Sequence, residues 1–181
     1  MGDFFSICVD AEHWHSEREF GIVDPRNGTV AYSVTGDKLQ IANAVVNVIT
    51  GKDLLFVPID HNPKYEAFAP TDERRCDGFL MSKSHCTLIF IEIKAQSVFS
   101  VKDDRHWIND AVDQLRATIS RFGQENPNEY CRPNSIRIAF AANRGGGYRV
   151  KRVLASMKSK FLQDTRYMLV VDGRISIENV R

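Results

Sequence analysis

Apolar and polar residues follow two rhythms along this chain, period two where a strand is expected and about 3.6 where a helix is expected. In the first third, EFGIVD and TVAYSV are β-rich runs on either side of Pro25-Arg26-Asn27-Gly28, a turn-forming cluster, and they predict a hairpin. LQIANAVVNVIT comes next, with Thr35-Gly36-Asp37 available as a cap and Gly51 as a stop. It is apolar almost all round and predicts a buried helix over Lys38 to Thr50. On such a helix Gln40, Asn43 and Asn47 share one face. DLLFVPID follows as a short buried strand closed near Pro58.

The middle of the chain is patterned more sharply. CDGFLM and TLIFIEIKA, rich in β-branched and aromatic residues, flank the polar connector SKSHC and predict an antiparallel hairpin. Ile108, Val112, Leu115, Ile119 and Phe122 then recur at helical spacing, with Gly123 as a stop and QENPNEYCRPN as a loop. SIRIAFAA reads as a strand, RGGGYR as a turn, VKRVLASMKSKFLQ as a helix and YMLVV as a strand. Asp172-Gly173 is a tight-turn signal into RISIENV. Strands alternating with helices around a hairpin predict an α/β fold, a mixed central β-sheet with flanking helices. Residues 1–181 are expected to form a single domain, with 1–36 as an N-terminal β-rich extension and 37–171 as the core.

The central hairpin carries the chemistry. With a connector from Ser82 to Thr87, Met81 faces Leu88, Phe79 faces Phe90 and Asp77 faces Glu92, side by side at about 4.5–5.5 Å between Cβ atoms. Alternation puts Lys94 on that face too, while Leu80, Ile89, Ile91 and Ile93 take the other face and enter the core. Two carboxylates and an ammonium thus converge at one end of the sheet. Neighbouring Asp and Glu repel each other unless a cation intervenes, and their hard oxygens suit Mg²⁺ or Mn²⁺, with the carbonyl of Ile93 as a further donor. Lys94 can then stabilise charge developing on a phosphoryl group. The same residues also fit an ion pair decorating a solvated strand.

The spacing of Asp77 and Glu92-Ile93-Lys94 resembles the D…ExK core of the PD-(D/E)xK nuclease superfamily, whose members have the restriction-endonuclease-like fold. RRCDGFLMSKSHCTLIFIEIKA followed by AVDQLRATISRF is similar to a group of small bacterial proteins of that superfamily. These read Arg-Cys-Asp at a strand start, IE(L/I)K on the next strand and A-x-x-Q-L on a helix. The likeness covers roughly residues 37 to 122 by motif and continues to about 171 by predicted element order. It implies Asp77 and Glu92 as metal ligands, Lys94 as the catalytic lysine, and Gln114 as the helix-borne residue that approaches the site. From the residues alone, Gln114 equally fits a boundary polar group bonded to the sheet. Many nucleases of the superfamily carry a further acid on the helix before the hairpin. Here that segment offers only the amides Gln40, Asn43 and Asn47, unless Asp60 or Glu66 substitutes from another direction.

Composition changes the picture in one respect. The 181 residues hold 24 Lys+Arg and 23 Asp+Glu, a net charge of +1 that argues against binding polyanions by bulk charge. The charge is segregated, however. Residues 132–166 carry +8 and the rest −7. Within that stretch Arg144, Tyr148, Arg149, Lys151 and Arg152 surround three glycines and suit phosphate contacts and base stacking, although a solvated helix face has the same composition. Asp103, Asp104, Asp110 and Asp113 lie near the positive end of a helix, where acids are favoured, and are read as no more than that. His13-Trp14-His15 lacks a third ligand and fits a strand surface. No Ser–His–Asp arrangement follows from spacing.

Cys8, Cys76, Cys86 and Cys131 are scattered, as expected of thiols in a reducing cytoplasm, and no secretory signal or membrane span is expected. The resulting expectation is a Mg²⁺- or Mn²⁺-dependent nuclease acting on DNA, in a bacterial defence or DNA-processing system. A homodimer or a protein partner in a larger system belongs to that expectation, since many relatives dimerise to cut two strands. The alternative is a catalytically inactive member of the fold that binds nucleic acid or protein.

Overall fold

The computed structural model describes residues 4–8, 14–25, 28–49, 53–66, 73–94, 101–144 and 151–178, the side chains of 101–105 and 151–153 lying outside that description. Among the described residues the chain is mixed α/β, with ten strands in two sheets. The elements run β1 (Trp14–His15), β2 (Glu19–Val23), β3 (Tyr32–Val34), β4 (Ala44–Val48), β5 (Leu54–Pro58), α1 (Pro63–Glu66), β6 (Gly78–Ser82) and β7 (Thr87–Ile93). They continue with α2 (Val101–Glu125), α3 (Pro127–Tyr130), β8 (Ile136–Ala142), α4 (Lys151–Thr165), β9 (Met168–Asp172) and β10 (Arg174–Ile177). One sheet has the order β1-β5-β6-β7-β8-β9, antiparallel from β1 to β7 and parallel from β7 to β9. The other has the order β10-β4-β2-β3, with β10 parallel to β4.

Every residue of β7 is buried, because the six-stranded sheet is a middle layer. On one side Ile89, Ile91 and Ile93 pack with Leu80 and Phe140 against Phe20, Ile22, Val46 and Ile175 of the other sheet. On the opposite side Leu88 and Phe90, with Phe79 and Met81, pack against Trp107, Leu115, Ile119 and Phe122 of α2 and Phe161 of α4. The face of Leu80, Ile89, Ile91 and Ile93 enters the core as expected, and the face of Phe79, Met81, Leu88 and Phe90 enters a second one. Helices cover the face that also carries the polar residues, which confines those residues to the strand ends. The aromatic contacts there are close: the Phe90 ring lies 5.6 Å from both Phe122 and Tyr167, and Phe4 lies 5.3 Å edge-on from Phe122. Phe4 brings residues expected to be an extension into the main core, and β2 and β3 bring more of them into the smaller sheet.

The hairpin register is the one the pattern predicts, with Phe79 opposite Phe90 and Met81 opposite Leu88. The buried positions of α2 also follow the predicted stripe. The helix predicted over Lys38 to Thr50 is not formed. Gly36–Ile41 is a 3₁₀ turn and Ala44–Val48 is a strand. Ala44, Val46 and Val48 face the other sheet, while Val45 meets Val23, Val34 and Ala42 on the outer side, so this strand is apolar on both faces. A doubly buried strand and a buried helix give the same apolar run, and the β-branched valines decide for the strand.

Gly123 does not stop α2. It lets Tyr130 of α3 approach, since a Cβ there would lie 3.1 Å from the Tyr130 ring. Asp172-Gly173 turns the chain as expected, with Asp172 Oδ1 accepting from the Gly173 and Arg174 N–H groups. The following segment does not pair back on β9, however. It crosses to the second sheet and runs parallel to β4. Among the described residues no helix is long and apolar enough to cross a membrane. Phe90→Ala removes the ring at the junction of sheet and helices and is expected to cost about 3–5 kcal/mol, measured as the loss of unfolding free energy in urea.

Candidate functional site

Glycine at 78 brings the two strand ends together. A Cβ at this position would lie 2.7 Å from both the Phe56 ring and the Val57 carbonyl, so β5 closes against β6 only because no side chain intervenes. The chain before it is then fixed by its backbone. The Asp77 carbonyl accepts from the N–H groups of Ile59 and, more weakly, Asp60. Continuing the ladder past Gly78 opposite Ile91 places Asp77 across from Glu92. Asp77 Oδ2 accepts a hydrogen bond from the Ile93 N–H at 2.5 Å. In an extended strand the N–H and C=O of one residue point the same way, so the Ile93 carbonyl also faces the Asp77 side.

Glu92 is 2 % exposed. Its Oε1 lies 2.7 Å from the Lys94 ammonium, while its Oε2 is buried with no hydrogen-bond partner. The Lys94 ammonium has two further acceptors, Asp110 Oδ2 at 2.7 Å and Gln114 Oε1 at 2.6 Å, which match its remaining N–H groups. Burial works against the charge of Lys94, but Glu92 and Asp110 outweigh it and hold the ammonium above its ordinary pKa. Burial raises the Glu92 carboxyl well above the usual range, and the neighbouring Asp77 adds to this against the pull of Lys94. Burial also raises Asp77, to about 7, against the Ile93 N–H and Lys94; Asp24 and Asp60 act more weakly in the raising direction.

Helix α2 aligns the Arg75-Cys76-Asp77 segment with these groups. Gln114 Nε2 donates to the Arg75 carbonyl at 3.2 Å while its oxygen accepts from Lys94. One turn on, Thr118 Oγ1 accepts from the Cys76 N–H at 2.8 Å and donates to the Gln114 carbonyl. Gln114 is thus brought to the site, as expected, and bonds both the lysine and the Arg75 backbone. Asp110 is the residue that sequence reasoning missed. The sequence pattern puts it at the positive end of the helix, but α2 starts at Val101 and carries Asp110 in its third turn. The usable signal was its position four residues before Gln114, on the same helix face.

The other candidates are held elsewhere. Asp60 and Glu66 both engage Arg75, at 2.7 and 3.1 Å, and so anchor the strand end rather than substitute for a missing acid. No helix carries Gln40, Asn43 and Asn47 to the site; Asn43 Oδ1 accepts from the Asp24 N–H. The basic stretch is partly internal. Arg132 and Arg137 donate to carbonyls of Ser84, His85 and Glu129, and burial lowers the pKa of Arg137. Arg144 donates to the Leu39 and Ala42 carbonyls. Tyr148 and Arg149 lie outside the described residues, as do the side chains of Lys151 and Arg152.

His13 also lies outside them, whereas His15 is buried between Ser33 Oγ at 2.7 Å and Glu17 at 3.4 Å. This contact ties β1 of one sheet to β3 of the other. All four cysteines are free thiols.

A divalent ion finds partial provision here. Among the described residues no three His, Cys, Asp or Glu side chains form a metal-holding group. Mg²⁺, however, retains several waters and is commonly held by one or two carboxylates. The unpartnered Glu92 Oε2, the adjacent Asp77 and the carbonyl of Ile93 supply hard oxygens that suit it. The chain matches no known family model, no curated protein and no solved structure.

The Asp77 carboxyl has a sign-definite effect on stability. Its pKa rises from 3.8 to about 7 on folding, so between those values the folded chain holds a proton the unfolded chain has released. Stability contributed by this group is therefore lost as pH rises through that window. In EDTA, the stability of wild type relative to Asp77→Asn is expected to fall from about pH 4 to about pH 8, read by urea denaturation. A constant difference would mean that Asp77 titrates as it does in the unfolded chain.

Proposed function

We propose that this chain is a divalent-metal-dependent nuclease of the PD-(D/E)xK type that hydrolyses phosphodiester bonds in DNA. One observation carries the reading: Asp77, Glu92 and Lys94 meet at the end of β6 and β7, with a buried, unpartnered carboxylate oxygen among them. Ion pairs that merely decorate a strand stand in water, whereas this carboxylate is 2 % exposed and its lysine is fixed by three acceptors. The order of the three motif segments along the fold also supports the reading. Arg75-Cys76-Asp77 runs directly into β6, Glu92 and Ile93 end β7 with Lys94 the next residue, and Gln114 projects from the crossover helix α2. An antiparallel meander followed by a helix and a parallel strand supports the restriction-endonuclease-like fold as the finer description.

In this reading Asp77, Glu92 and the carbonyl of Ile93 would hold Mg²⁺ or Mn²⁺. The ion supplies Lewis-acid polarisation of a phosphoryl oxygen and makes water nucleophilic at neutral pH. Lys94 neutralises charge that develops on the phosphoryl oxygens, and Gln114 fixes the lysine and the Arg75 backbone in one geometry. DNA would reach the site from the edge where β7 and β8 both end, Ile93 lying beside Ala142.

A second reading has its own support. Among the described residues no α-helix precedes the meander to carry a further acid, and the 3₁₀ turn Gly36–Ile41 and strand β4 stand in its place. A non-catalytic member of the fold, acting as a nucleic-acid- or protein-binding subunit, needs no such acid.

Asp77→Ala and Glu92→Gln are each expected to reduce cleavage of plasmid DNA in Mg²⁺ or Mn²⁺ by at least about 10²-fold while leaving the circular dichroism spectrum unchanged. Cleavage retained by both purified variants would remove the nuclease assignment. Wild-type protein that neither cuts nor binds Mn²⁺ in calorimetry would leave the binding subunit as the surviving reading.

A further inference from the structure

The Lys94 ammonium has three hydrogens and three acceptors, and two of those acceptors are carboxylates of very different standing. Glu92 is almost wholly buried and belongs to the proposed metal site. Asp110 is 43 % exposed, sits on α2 and makes no ion pair among the described residues other than the one to Lys94. The ammonium and a divalent ion compete for the same carboxylate when both approach Glu92, and like charges a few ångströms apart in a poorly hydrated site repel strongly. A lysine whose one anionic partner was Glu92 would therefore act as a plug in the metal position. A second carboxylate on the far side gives the ammonium somewhere to stay.

We propose that Asp110 is a positioning residue that holds the Lys94 ammonium when Glu92 engages a divalent cation, and so sets the affinity of the site for that ion. The proposal rests on the functional reading above and deepens it. Asp110 is not itself a ligand here: it acts through the lysine. Gln114, one turn along the same face, holds the third hydrogen of the ammonium and keeps it between strand and helix. Asp113 provides an internal control. It lies on the same helix, bears the same charge and faces Arg74 and Arg116 rather than Lys94.

Binding of Mn²⁺ alone, measured by titration calorimetry, tests the arrangement without any activity. Asp110→Asn is expected to weaken Mn²⁺ binding about tenfold, because the ammonium then stays on Glu92, while Asp113→Asn changes it by less than about twofold. With Lys94→Met as background, Asp110→Asn is expected to have almost no further effect. Asp110→Glu, which keeps a carboxylate within reach, is expected to restore affinity to within about threefold of wild type, and this arm stands even where the Lys94 variant fails to fold. Equal losses in Asp110→Asn and Asp113→Asn, or the same loss with and without Lys94, would overturn the role of Asp110 while sparing the metal site. Mn²⁺ binding that Glu92→Gln does not abolish would instead overturn the functional reading on which the proposal stands.

Discussion

A carboxylate buried in the middle layer of a three-layer protein persists only with a cation beside it, and the pair between Glu92 and Lys94 meets that constraint. Desolvating an ion costs several kcal/mol, roughly, and one ammonium in contact offsets part of this only when its own hydrogens are satisfied. The surroundings supply that satisfaction. Asp110 and Gln114 take the remaining hydrogens of the ammonium, and Gln114 passes the geometry on to the Arg75 carbonyl. The Oε2 of Glu92 is a buried oxygen the arrangement leaves without a hydrogen-bond partner, and it lies in the same charged neighbourhood as Asp77.

This balance also explains where polar chemistry can sit on the sheet. β7 is covered by helices on one side and by the second sheet on the other, so its interior positions accept only apolar residues. Ion-bearing residues are tolerated at the end, where Asp77, Glu92 and Lys94 lie. Gly78 contributes by absence. The strand end bearing Asp77 comes up to Phe56 and Val57 because there is no Cβ to hold it off.

The hairpin and its register were legible in the sequence because period-two alternation of large apolar residues leaves one pairing that keeps both faces consistent. Met81, Phe79 and Asp77 then follow their partners by arithmetic. The stripe of α2 was legible for the same reason at period 3.6. β4 was not, because Val45 and Val46 are buried on opposite faces and periodicity cannot separate that from a buried helix. Nor does counting basic residues tell which guanidinium groups close on backbone carbonyls; Arg132, Arg137 and Arg144 do so. Asp110 was hidden by an ordinary assignment, since acids in the early turns of a helix usually answer the dipole. Its partner lies on a strand that sequence spacing does not connect to it.

The hydrogen bonds between α2 and the segment leading into β6 have a bearing on how the molecule comes apart. Gln114 grips Arg75, Thr118 grips Cys76, and both side chains project from the helix that also completes the aromatic core. Without α2, the Lys94 ammonium loses Asp110 and Gln114, and Arg75 and Cys76 lose their helix partners, while the bonds of Asp77 to Ile59 and Ile93 are made by the sheet alone. Partial opening of the helix therefore strips the lysine of two of its three acceptors together with the core beneath it, and the two belong to one cooperative unit. The cluster reports the integrity of the helix: the lysine has all three acceptors only while α2 is docked.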